Sequence, residues 1–308
     1  MFVLKRLAQA LPTLFAVSLL VFFFVDLIPG DPAQILAGPT ATDEEVRSIR
    51  EFLGLNQPLL NRYGHFLQGL WDPTVATSFR TQRPVVVELA ERLPNTLTIA
   101  IGGLVLGLLA GTVAGVICAL RQGGMAEAVI TVLTLAGISM PIYWLGLLCI
   151  WLFAVYLGWL PAAGASTPVH FVLPILVLAT RPTAMFSRLV AASLLEAMGK
   201  DYLDTARAKG LSETSVILFH ALRNSLIAAV SVAGVQFGGM LGGSVVTETV
   251  FGIPGVGRLL VDAVSRADYP VIQYVILMFA VFFVAINLAT DILTQWLDPR
   301  TRDEGRAA

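Results

Sequence analysis

Five long stretches of this chain carry no charged residue, and their lengths decide what it can fold into. Residues 7–25, 93–120, 224–247 and 269–290 form uncharged runs of 19, 28, 24 and 22 residues, and 128–180 forms one of 53. A helix rises about 1.5 Å per residue and needs roughly 20 residues to cross the hydrocarbon core of a bilayer. Four runs therefore hold one span each. The run of 53 holds one span, then the turn-rich Gly158-Trp159-Leu160-Pro161-Ala162-Ala163-Gly164, then the start of another span that takes in Arg181 and Arg188. The spacing predicts an all-α membrane protein with six transmembrane helices, at about 8–28, 95–120, 126–157, 171–198, 225–247 and 271–293. Each span must be helical, because lipid offers no partner to an unpaired backbone group.

Composition removes the competing classes. Apolar residues make up 56% of the chain and charged ones 13%, about half the roughly 25% of a globular domain. So few charges could not cover a soluble fold of this size. A net charge of −1, from 20 basic and 21 acidic residues, excludes a nucleic-acid platform, and the high apolar content excludes disorder. Cys118 and Cys149 both lie inside apolar runs, so neither a disulfide framework nor a zinc cluster is expected. Lys5-Arg6 before the first run resembles a secretory signal, but the run is long and no small-x-small site follows, so it reads as an uncleaved anchor.

Basic residues in short loops set the orientation. Arg121 follows span two. Arg188, Lys200, Arg207, Lys209 and Arg223 surround the loop after span four, and Arg300, Arg302 and Arg306 follow span six. The opposite side offers only Arg258 and Arg266 in its short loops. The 29–94 segment carries six arginines but is too long for the rule to count. Both termini are therefore expected in the cytoplasm, in agreement with an even number of spans.

Three polar segments connect the spans. In the external 29–94 insertion, Thr42-Asp43-Glu44-Glu45 reads as a capping box, with Val46, Ile49 and Leu53 on one face of the helix it starts. A second amphipathic helix follows Pro58, with Leu59, Leu60, Tyr63, Phe66, Leu67 and Leu70. The pair suits either a lid packed on the spans or a docking surface. The cytoplasmic 199–223 loop holds a short helical pattern with Tyr202, Leu203 and Ala206, and Gly210 sits where a helix would stop. That pattern fits a plain connector or a rigid knob for another protein's groove. After span five, Phe251 to Gly257 holds three glycines and Pro254, a tight non-helical turn.

Small and charged residues inside the spans mark contacts. Gly103, Gly107, Gly111 and Gly115 recur every fourth residue in span two, a pattern for close helix packing in lipid. In span five, Gly234, Gly238 and Gly242 with Gln236 and Ser244 give a low-bulk, partly polar face, which suits packing or a solute pathway. Arg181 and Arg188 lie within span four, where a charge costs several kcal/mol unless it meets a polar cavity or partner. Asp291, Asn287 and Glu248 are the candidate partners within the chain; lining a pathway is the other reading. No ATP-hydrolysing phosphate loop exists, since Gly199-Lys200 is followed by Asp201. No His-Glu-x-x-His motif occurs among His65, His170 and His220.

With Asp204-Thr205-Ala206 and Gly210, then His220-Ala221-Leu222-Arg223-Asn224, the cytoplasmic loop resembles the EAA loop of permease subunits from binding-protein-dependent ABC importers. Further motifs in chain order resemble the dipeptide/oligopeptide branch in its first-permease form. They are Ile28-Pro29-Gly30-Asp31-Pro32, Arg92-Leu93-Pro94-Asn95-Thr96-Leu97, Ser139-Met140-Pro141, Thr247-Glu248-Thr249-Val250-Phe251, Asp268-Tyr269-Pro270 and Leu297-Asp298-Pro299-Arg300. The sequence departs mildly at Asp204 and Thr205. Arg181 is not a position that the family pattern charges.

The resemblance implies a type I ABC importer permease fold in a bacterial or archaeal cytoplasmic membrane. It implies a second homologous permease, two ATPase subunits or one fused ATPase, and an external binding protein or lipoprotein. The solute would be a short peptide, or alternatively nickel, glutathione or a haem-like molecule; a transporter acting alone is the rival from another class. No cofactor is expected on this chain, which would not be an enzyme, because ATP and Mg would serve the partner ATPases. The implied coupling residues are Tyr202, Asp204, Thr205, Ala206, Lys209, Gly210, His220 and Arg223. Phe251, Pro254, Gly255 and Gly257 would form an external turn beside the binding protein. Arg181, Arg188, Gln236, Gly238, Ser244 and Glu248 are the candidate pathway residues.

Overall fold

A computed structural model describes residues 2–27, 31–38, 40–52, 54–72 and 74–297. The arginines after span six, Asp298-Pro299-Arg300 and Ile28-Pro29-Gly30 lie outside the described residues. In chain order, α1 (Phe2–Leu27) is followed by three short helices, α2 (Pro32–Ala37), α3 (Asp43–Phe52) and α4 (Leu59–Gln68). The long α5 (Val85–Leu120) leads to α6 (Met125–Ser139) and α7 (Ile142–Cys149), the latter continuing as a π-helical turn over Ile150–Tyr156. Then come α8 (Val172–Met198), α9 (Asp201–Ala208), α10 (Glu213–Ser215) and a second π-helical turn, Val216–Ala221. The chain ends with α11 (Leu222–Val250), α12 (Val256–Ser265) and α13 (Tyr269–Leu297).

Among the described residues, four helices are long and apolar enough to cross a membrane: Val85–Leu120, Pro168–Met198, Ala228–Val250 and Tyr269–Trp296. The pair Met125–Ser139 and Ile142–Tyr156 makes a fifth span if counted as one, and α1 adds a shorter apolar stretch, Ala8–Phe23. The third span expected at 126–157 is thus broken, with a bend of 109°. Pro141 is the cause: it supplies no N–H, and the residue before it, Met140, is forced into extended backbone at φ −79° and ψ 132°. The span expected at 95–120 starts ten residues earlier, at Val85, because α5 runs unbroken through Pro94.

Glycines set the closest helix contact. A Cβ on Gly107 would lie 2.8 Å from Pro182 Cβ, on Gly111 2.7 Å from Phe186 Cβ, and on Gly115 2.6 Å from the Ser187 carbonyl oxygen. The rising numbers on both sides show that α5 and α8 run parallel. α11 runs antiparallel to α13, since Gly234 meets Thr290 and Gly238 meets Phe283. α1 is also antiparallel to α13: Arg6 pairs with Asp291 at 3.3 Å, and Gln273 Nε2 donates to the Phe22 carbonyl at 3.2 Å. The bundle therefore has two ends. One carries α2–α4 and α12, the other α9 and α10.

The 31–84 segment packs on the bundle as a lid. Asp31 caps α2 through the Ala33 amide at 3.1 Å and also meets Arg50 of α3. Glu45 accepts from the Thr42 amide at 2.8 Å, completing the capping box. Phe66 is buried between Phe22, Tyr63 and Tyr274, and Tyr274 donates to its carbonyl at 2.6 Å. Asp268, at the start of α13, accepts from Ser78 Oγ at 2.5 Å and the Phe79 amide at 3.2 Å. The second amphipathic helix is thus held through Phe66 and Tyr63, while Leu59, Leu60, Leu70 and Trp71 stay exposed; in the first, Val46 and Ile49 are half-buried and Leu53 lies outside the described residues.

Candidate functional site

At the α9 end, the sequence builds a rigid protrusion. Leu203 and Ala206 are buried against Leu194, Ala197, Val216, Ile217 and Ala221, so α9 is anchored by its inner edge to the ends of α8 and the π-helical turn. The outer edge, with Tyr202, Asp204, Thr205, Lys209 and Gly210, is exposed. Gly210 takes φ +79°, a conformation that costs a side chain-bearing residue about 1–2 kcal/mol, and its amide donates to the Arg207 carbonyl at 2.9 Å. Ser212 then caps α10 through the Ser215 amide at 3.4 Å. Arg207 ties the two helices across the turn. Its guanidinium donates to Asp204 Oδ1 at 2.8 Å and to both oxygens of Glu213, at 3.1 and 2.9 Å. Arg207 holds the Glu213 carboxyl below its ordinary range, and Glu213 and Asp204 push the guanidinium up. His220 is half-buried with Nδ1 3.4 Å from the Ser215 carbonyl, and Arg223 is exposed.

At the other end, α12 is clasped by a side chain from α11. Glu248 is fully buried, and its carboxylate accepts from Thr96 Oγ1 at 2.7 Å and from the Arg258 amide at 2.9 Å. Thr96 Oγ1 in turn accepts from the Val256 amide at 2.8 Å. Gly255 at the start of α12 offers no capping side chain, so Glu248 supplies the acceptor and the negative charge that a helix N-terminus favours. Two glycines make room. A Cβ on Gly255 would sit 2.2 Å from Glu248 Cδ, and one on Gly257 2.5 Å from Val245 Cα. Phe251 is buried, and the Pro254 carbonyl accepts from Asn95 Nδ2 at 2.9 Å.

Inside the spans, the charged residues separate. Asp291 pairs with Arg6, Glu248 holds α12, and Asn287 donates to the Phe283 carbonyl at 2.8 Å. None of the three candidate partners meets Arg181 or Arg188. Both arginines are exposed on α8 and make no ion pair or hydrogen bond among the described residues. The span-five glycines separate too. Gly234 and Gly238 face α13, and Gly243 faces Leu178. Gly239 and Gly242 are exposed and have open space where a Cβ would go. Gln236 is half-exposed, while Ser244 is buried and donates to the Leu241 carbonyl at 2.9 Å.

Residues 111–303 match the family described as the binding-protein-dependent transport system inner membrane component, and residues 1–100 match its N-terminal companion. The chain belongs to this permease family. It is 44% identical over 301 residues to the glutathione transport system permease protein GsiC of Escherichia coli K12, covering 98% of each chain. The GsiC protein of Shigella flexneri serotype 5b is 43% identical over the same length. Among solved structures, an inward-facing MetNI methionine ABC transporter matches 70% of this chain and 98% of its own, at a TM-score of 0.58 and 19% identity. An amino acid ABC transporter solved with histidines matches 70% of this chain at a TM-score of 0.50 and 16% identity. At those identities the likeness shows the fold alone. It is the fold of an ABC importer permease, here in the dipeptide/oligopeptide branch.

Three contributors to the permease's site went unread in the sequence. Arg207 and Glu213 brace the α9 turn; their signal was an acid three residues before the arginine and another six after it, across a glycine. Thr96 was visible only as part of a motif, and nothing in its surroundings pointed to a helix start 160 residues later.

Proposed function

We propose that this permease works as one half of an ATP-driven importer that carries short peptides, glutathione among them, across the cytoplasmic membrane. In this reading the chain crosses six times, with α1 and the bent α6–α7 pair counted as spans and both termini in the cytoplasm. A second permease completes the pathway. Two ATPase subunits sit at the α9 end, and an external binding protein sits at the end with α2–α4 and α12. The α9 protrusion carries the proposal. Its inner edge is rooted in the membrane helices, its outer edge is exposed, and Arg207 locks its turn. A push on such a knob moves α8 and α11 as a unit instead of bending a loop.

Each residue then has a task. Tyr202, Asp204, Thr205 and Lys209 shape the knob that enters a groove on the ATPase, with Gly210 ending it, while Ala206 is buried and roots the knob from within. His220 and Arg223 lie where the push passes into α11. Phe251, Pro254, Gly255 and Gly257 form the turn that meets the binding protein. Arg181 and Arg188, with Gln236 and the open Gly239–Gly242 face, line the pathway, whereas Gly238, Ser244 and Glu248 support it from contacts within the chain. The peptide reading is supported by the 44% identity to glutathione permeases, since glutathione is itself a small peptide.

Vesicle uptake tests this reading. The chain alone should import nothing. The chain with its partner permease, ATPases and binding protein should import glutathione or dipeptides only when ATP is inside the ATPase compartment. Uptake by the chain alone would sink the proposal.

A further inference from the structure

Two charges deep in α8, Arg181 and Arg188, have no partner among the described residues. Arg181 lies nine residues into α8 and seventeen from its end, roughly 14 and 25 Å along the axis, within the hydrocarbon layer. Arg188 follows seven residues later on the same exposed stripe, with Met185 between them. Neither can face lipid at this depth without a cost of several kcal/mol. By the same count Arg188 lies sixteen residues into α8 and ten from its α9 end, so both arginines are too deep for a stem to carry the charge to an end of the helix.

Among the described residues, α5–α8, α11 and α13 supply no counter-charge. Each acid of these helices is engaged elsewhere. Glu88 meets Arg92 and Thr81, Glu91 meets Arg83, Glu127 meets the Gly123 amide, and Glu196 meets Lys200. Glu248 and Asp291 are held as described above. What remains is a surface with two positive charges and no negative one. A guanidinium presents a planar fork of donors that fits a carboxylate bidentately.

We infer that Arg181 and Arg188 make this permease select solutes that carry two carboxylates, and so short peptides of net negative charge over their neutral counterparts. The inference rests on the importer reading above and names its substrate class. The arginines are two helical turns apart, about 10 Å, and an extended tripeptide also spans about 10 Å. An acid at each end of such a peptide meets one arginine each. Discrimination by the permease adds to whatever the binding protein selects.

Two isosteric probes test this, Glu-Ala-Ala and Gln-Ala-Ala, which differ by one carboxylate. Uptake of each is measured in vesicles that hold the complete transporter. The same binding protein serves every permease variant, so its own preference cancels when variants are compared. Arg181→Gln should lower the acid-to-amide uptake ratio about tenfold, the worth of one charged hydrogen-bonded contact. Arg181→Lys should keep most of the ratio, and Arg188→Gln should lower it as well. An unchanged ratio in Arg181→Gln, with uptake still driven by ATP, overturns the inference and leaves the importer intact. Failure of Arg181→Gln to copurify with its partners, together with a wild-type ratio in Arg188→Gln, also overturns it, because Arg181 is then an assembly contact. Uptake that ignores ATP overturns the importer reading itself.

Discussion

Glu248 shows how much one side chain decides. As an acid in an apolar segment, it is legible in the sequence as a residue with a special task. The task is visible only in three dimensions, where it closes the start of α12 from a different helix. Removing it leaves Thr96 and the Arg258 amide without an acceptor in a buried place. Glu248→Ala should therefore cost about 1–3 kcal/mol, read as a lower unfolding temperature in detergent. Glu248→Gln retains a carbonyl acceptor and should cost less. Equal stability of the Ala variant would show that α12 holds itself. At the other end of the bundle, the Arg207–Glu213 pair acts near neutral pH. Glu213 has its folded pKa depressed, so its contribution is complete above the ordinary carboxylate range and is lost as pH falls through the folded value. Coupling should therefore be insensitive to small pH changes around neutrality. A variant Arg207→Gln should import less per ATP at every such pH.

Elements follow from pattern where one face repeats. The fourfold glycine spacing of α5 announced a close helix contact, and the structure supplies the partner: α8, approached so nearly that a Cβ at Gly111 would lie 2.8 Å from the Thr183 carbonyl. Gly111→Leu should wreck this contact and sharply reduce the amount of folded protein. Gly239→Ala, where a Cβ meets open space, should leave the yield unchanged. Comparing the two by detergent-solubilised yield separates packing glycines from open ones, and equal losses would refute the distinction. Sequence spacing alone could not make it, since Gly238 and Gly239 are neighbours with opposite surroundings. The capping box at Thr42 and the stop at Gly210 were also legible, because each is set by local backbone chemistry. The 109° break at Pro141 was not, because an uncharged run carries no mark of where a helix turns within it.

For the whole molecule, the uncharged runs located four helices long and apolar enough to cross a membrane, and a fifth if the bent pair counts as one, and the motif order located the family. What they left open was which charges meet. Three residues stood as partners for the α8 arginines, and the structure places none of them there: Asp291 and Glu248 accept from other groups, and Asn287 donates to its own helix. Such pairings depend on distances between helices, which no single run of sequence encodes. The bundle instead presents an exposed, braced knob at one end, a clasped turn at the other, and between them a positive stripe with no partner among the described residues. The central claim is that the knob transmits work from separate ATPases, and Gly210 is where it is most easily broken. In the reconstituted transporter, the amount of solute imported for each ATP hydrolysed should be compared between the natural chain and Gly210→Val. The valine is strained at φ +79° and should lower that yield about tenfold or more; an unchanged yield would contradict the account.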